Sequence, residues 1–118
     1  MEKNISDKIL RIDGRVRFAG IVSNRGEVIE GGFQEQIEPL VDQSNEQQLY
    51  LNSLSVIISF RDFSDNLGKI ICNITEYRKV VLMTFPLDAN RILCVSASPG
   101  IDIRTIRDEI LKIIGSSK

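Results

Sequence analysis

Few side chains in this sequence could do chemistry. The 118 residues contain no His and no Trp, and only two Cys, Cys72 and Cys94. Without imidazole there is no Ser-His-Asp or Cys-His relay, no His-ligated zinc and no switch titrating near neutral pH. The two Cys sit in apolar, strand-like runs, without CxxC spacing or a third soft ligand. They read as small buried hydrophobes. Glu27 and Glu30 have acid/base potential, but three positions along a strand place them on opposite faces. Glu35 and Glu38 lie in an irregular acidic stretch, and Ser96 and Ser98 have no neighbouring base. Gly26 to Gly31 has the length of a phosphate loop, yet Gly32-Phe33 stands where Lys and a hydroxyl residue are needed. Asp62-x-x-Asp65-Asn66-x-Gly68 lacks calcium-loop spacing and its late Glu, and fits a helix end. No catalytic, cofactor or metal site is expected.

Bulk composition narrows the field further. Fifteen Lys and Arg against sixteen Asp and Glu give a formal charge of −1. That is a poor basis for neutralising many phosphates, so no nucleic-acid partner is expected. Eighteen Ile, eight Val and ten Leu supply a core for one domain spanning 1–118. No apolar run approaches the ~20 residues of a membrane span. Met1-Glu2-Lys3-Asn4 lacks the apolar core of a signal peptide, so a cytoplasmic location is expected.

The elements that must position any site follow from periodicity and turn chemistry. Ser6 can cap a short helix carrying Ile9, Leu10 and Ile12, which Asp13-Gly14 ends. Arg15–Ser23 alternates, with Val16, Phe18, Gly20 and Val22 on one face and Ala19 and Ile21 on the other. Asn24-Arg25-Gly26 turns the chain into a returning strand, Glu27–Phe33. Ser44-x-x-Gln47 resembles a capping box opening a long helix to about Asn66, with Leu67-Gly68 as its stop. The competing reading makes Ser53–Phe60 a strand around the β-branched run Val56-Ile57-Ile58; the 3.6 period on both sides favours helix. Lys69–Glu76, Lys79–Phe85 and Arg91–Ala97 then read as strands. Asp102 caps a closing helix with the face Ile103, Ile106, Ile110, Ile113 and Ile114. The predicted class is α+β: a five-stranded antiparallel sheet with helices on both faces, in the order α-β-β-α-β-β-β-α.

That order, with the hairpin Val16-Arg17-Phe18-Ala19-Gly20-Ile21-Val22-Ser23-Asn24-Arg25-Gly26-Glu27-Val28-Ile29, resembles the roadblock superfamily, the dynein-light-chain type of domain with profilin-like topology. It is also similar to small archaeal proteins of this type. The long helix has few Ala and the chain an excess of Ile, which departs from the commonest pattern. The resemblance implies a non-enzymatic homo- or heterodimer whose central helix and an edge strand build the interface. It also implies a scaffold or regulator of a small GTPase, or a motor adaptor.

The long helix gives separate grounds for a partner. At 100° per residue, Leu49, Val56, Phe60, Phe63 and Leu67 form one apolar stripe. Tyr50, Leu51, Leu54, Ile57 and Ile58 form a second, about 150° away. One sheet needs one stripe, so the other calls for a partner or for another segment of the chain. The Phe-containing stripe is the longer and is assigned to the sheet. Tyr50, Leu51, Leu54, Ile57 and Ile58 are then the expected dimer interface. Residues 25–65 carry two basic and eight acidic side chains, a net −6 that suits a basic partner or a solvated rim. A PAS- or profilin-like sensory domain is the alternative, with a small molecule held in a cavity of several hundred Å3. A third reading has an edge strand taking up an extended peptide.

Overall fold

The computed structural model describes residues 4–116. Asn4, rather than Ser6, caps the first helix, α1 (Ile5–Leu10), its side chain accepting from the Asp7 N–H at 2.9 Å. Ser6 is fully buried instead. Strands β1 (Val16–Ser23) and β2 (Val28–Phe33) form the first hairpin, turned at Gly26 with φ +81°. Helix α2 runs Gln43–Arg61 and a single turn, α3, covers Ser64–Leu67. The helical reading of Ser53–Phe60 therefore holds, but the helix breaks at Asp62, where the Phe63 N–H bonds back to the Phe60 carbonyl. Its cap is Asp42, which accepts from the Asn45 N–H and the Ser44 hydroxyl at 2.9 Å each. Strands β3 (Asn73–Glu76), β4 (Val81–Pro86) and β5 (Arg91–Ala97) complete the sheet, and α4 (Ile103–Ser116) follows an Asp102 cap. Only the last four residues of the expected Lys69–Glu76 strand join a ladder.

The sheet is antiparallel throughout, in the order β2-β1-β5-β4-β3, which leaves β2 and β3 as edges. Helices cover both faces. Ile9, Ala19, Ile21, Met83, Leu93, Val95 and the α4 residues Ile106, Ile110 and Ile114 fill one face. Phe18, Val22, Ile92 and Cys94 on the other pack against Tyr50, Leu54 and Ile57 of α2.

Two irregularities in β1 decide which side chains reach which face. Val16 pairs with Ala97 and Phe18 with Ser96, so Arg17 is an extra residue and the alternation resets. Val16 thus joins Ala19 and Ile21 beneath α1 and α4, not Phe18 as strict alternation predicts. A second shift, between Ile21 and Val22, leaves Ile29 as the extra residue of β2.

Gly31 holds α1 close to the hairpin. Its φ is +96°, and a Cβ there would press on the Ala19 carbonyl and come within 2.7 Å of the Ser6 hydroxyl. Neither obstacle is the flexible tip of a long side chain. Gly31→Ala is expected to lower unfolding free energy by about 2–4 kcal/mol, from left-handed strain and overpacking together. Urea denaturation at neutral pH measures it, and a loss under 0.5 kcal/mol contradicts the packing described.

Candidate functional site

The face of α2 that meets the sheet is the reverse of the one assigned from the sequence. Tyr50, Leu54 and Ile57 are buried in the protomer's own core. The Tyr50 ring stacks on Phe18 with centroids 5.6 Å apart, and Phe18 meets Phe33 edge-on at 4.9 Å. Leu51 is partly buried beside the β1–β2 turn, where its Cγ would lie 2.8 Å from a Cβ on Gly26. Of the five residues expected at a partner interface, only Ile58 is freely exposed, at 50%. The stripe assigned to the sheet faces outward instead. Val56, Phe60, Phe63 and Leu67 are exposed, Leu67 by 82%. The stripe is also shorter on the helix than its residues suggest. Phe63 and Leu67 lie beyond the break at Asp62, so the stripe that counts longest in sequence has no straight helix behind it.

The outward stripe runs beside the open edge of the sheet. Leu49, Ser53 and Val56 of α2 share a small groove of about 170 Å3 with Asn73, Thr75 and Tyr77 at β3 and with Leu82. Ile71 and Tyr77, flanking β3, are also more than half exposed. Helix and edge strand together therefore present one continuous surface, apolar along α2 and with free backbone donors and acceptors along β3.

A larger cleft opens at the N-terminal half of α2. Its volume is about 560 Å3, and it lies between the helix and the strand ends that carry Phe18, Ser96 and Leu82. The molecule thus combines an unpartnered helix face with a cavity of the size expected for a sensor, although this one is open to solvent. Glu46 lines the cleft, and its Oε1 is buried with no hydrogen-bond partner. Burial pushes the Glu46 carboxyl above its ordinary range, with the Tyr50 hydroxyl opposing. Burial likewise pushes the Tyr50 phenol up, aided by the Glu46 charge. Neither feature was legible in the sequence, because Glu46 reads there as an ordinary first-turn carboxylate.

The remaining reactive groups are apart. Cys94 belongs to the core beneath α2, and burial pushes its thiol up to about 12. Cys72 packs on the opposite cluster. Among the described residues no group of three or more His, Cys, Asp and Glu could hold a metal ion, and no helix is long and apolar enough to cross a membrane.

A carboxyl whose pKa is raised by folding favours the fold while protonated and weakens it as pH rises through the folded value. Glu46→Gln removes that dependence. The variant is expected to gain stability relative to wild type between pH 4 and pH 7, the difference closing below about pH 4. Parallel urea titrations at the two pH values check this, and a difference that does not change with pH counts against the burial of Glu46. Leu54→Ala is expected to cost about 2–4 kcal/mol of protomer stability, as a core truncation. A surface-like loss under 0.5 kcal/mol would overturn the assignment of this stripe to the sheet.

The fold has solved counterparts. A roadblock/LC7 domain from Streptomyces avermitilis superposes with a TM-score of 0.70 at 13% identity, over 95% of this chain and 90% of that one. The gliding protein MglB from Thermus thermophilus gives 0.65 at 11% identity, over 95% and 87%. A further structure, described as MglB with a tetrameric arrangement, gives 0.63 at 13% identity, over 97% and 88%. These likenesses establish the fold. No curated protein sequence matches the chain. A family profile matches residues 1–117 almost end to end, so the protein, a roadblock/LC7 fold, belongs to the family described as a family of unknown function, DUF6659.

Proposed function

We propose that the protein is a dimeric scaffold or regulator of a small GTPase, assembled through the outward stripe of α2 and the free edge of β3. The exposed run Val56, Phe60, Phe63 and Leu67, continuous at Val56 with the groove beside that edge, carries the reading. Burying several such side chains is worth roughly 1.5–3 kcal/mol each before association costs. An unpaired strand adjoining them supplies backbone hydrogen bonds that fix the geometry. β3 is also only four residues long and carries Asn73 and Thr75 toward the helix, where they offer polar, uncharged side chains. The GTPase is what the resemblance to roadblock domains implies, and the tetrameric arrangement described for one MglB structure is in keeping with assembly. The acidic surface of residues 25–65, with Glu35, Glu38 and Asp42 all exposed, suits a basic face on the regulated protein.

Light scattering is expected to give twice the 13.3 kDa chain mass for wild type and one chain mass for Phe60→Asp. Ile29→Asp, on the opposite edge, is expected to leave the dimer intact. A monomeric wild type, or a Phe60→Asp dimer of unchanged affinity, defeats the proposed interface. Capture of a small GTPase from the source cell, followed by nucleotide exchange and hydrolysis assays, tests the regulatory part. A recovered GTPase whose rates the protein leaves unchanged would limit the role to scaffolding.

A further inference from the structure

The 560 Å3 cleft extends beyond the assembly surface just described, sharing Leu49, Ser53, Tyr77 and Leu82 with the groove beside β3. It adjoins the N-terminal half of α2, whereas Phe60 lies in the last turn of the helix and Phe63 and Leu67 beyond it, near where Arg61 reaches the Asp88 carbonyl in the β4–β5 turn. Its floor is a cross-strand row, Phe18, Ser96 and Leu82, fixed by the ladder register. Leu49 and Tyr50 form the helix wall, and Leu40 and Val41 close one flank. These side chains enclose a space within the ~300–1,000 Å3 range of small-molecule sites.

Three basic side chains line the mouth. Arg17 leaves β1 beside this row, and Arg78 and Lys79 occupy the β3–β4 turn at the same end of the sheet. Arg78 and Lys79 form no ion pair among the described residues, while Arg17 donates to the Glu38 carbonyl at 2.8 Å. Glu46 is the one acid in the lining, and it lies back against Tyr50 on the helix wall. We infer that the cleft binds a single amphiphilic carboxylate, its apolar chain laid along the Phe18–Ser96–Leu82 row and its head at Arg78 and Lys79. A concave slot flanked on both sides admits one extracted molecule.

Isothermal titration with dodecanoate below its micelle concentration, backed by native mass spectrometry, tests this. One dodecanoate per chain is expected, with dodecanol bound at least tenfold more weakly. The exposed double variant Arg78→Glu, Lys79→Glu is expected to lose that preference without loss of fold. Ser96→Phe, which fills the floor, is expected to abolish binding while light scattering still reports the wild-type mass. No binding, equal affinity for alcohol and acid, or binding that survives Ser96→Phe overturns the proposal. Loss of the dimer with Ser96→Phe overturns it too, by giving the cleft to the assembly. Sedimentation with phosphatidylglycerol vesicles in place of a one-to-one complex overturns it in favour of a membrane surface. A failed titration with an intact dimer leaves the proposed interface standing, so the two readings fail separately.

Discussion

The packing of α2 on the sheet governs the rest of the structure. Tyr50, Leu54 and Ile57 repeat at four and three residues, which keeps them on one face of a straight helix. They meet Phe18, Val22, Ile92 and Cys94, the residues that β1 and β5 turn toward that face. The contact is anchored by the aromatic trio Phe33, Phe18 and Tyr50 at one end. Once it forms, rotation of the helix is fixed. Every other apolar residue of α2 must then face a flank or solvent, and that choice creates both the outward stripe and the cleft.

Sheet irregularity sets up this contact from below. Without the extra residue at Arg17, Val16 would lie on the same side as Phe18, and α1 and α4 would lose a fully buried partner. The bulge therefore lets one strand serve two cores. It also places Arg17 at the end of the cleft, where a regular strand would have carried that side chain elsewhere. Bulges near sheet ends commonly re-aim side chains in this way.

Much of the fold was legible in local sequence. Gly26 and Gly68 ended elements where their positive φ values are found, and Asp102 capped the last helix as its position suggests. The first hairpin followed from the short turn at Asn24-Arg25-Gly26 and the α+β class from the order of elements, whereas the pairing of β1 with the distant β5 has no local signal. What failed were choices that depend on the third dimension. Ser6 has the chemistry of a cap, but Asn4 has it too, and the tight approach of Gly31 draws Ser6 inside. The length of an apolar stripe on α2 does not tell which face docks, because Phe63 and Leu67 follow a break that composition does not mark.

That failure leaves the expectation of a partner intact, and moves it. Two apolar stripes on one helix still exceed what a single sheet can cover, whichever of them docks. With Tyr50, Leu54 and Ile57 consumed by the core, the surplus is the Phe-bearing stripe, which is larger in side-chain area and adjoins an unpaired strand. A surplus of Leu and Ile on an isolated helix could be hidden by a neighbouring loop. Phe60 and Leu67, exposed by 56% and 82%, have no such cover within the described residues. The absence of His and the scarcity of Cys first pointed away from chemistry. One face of α2 holds the protomer together, and the other stays exposed.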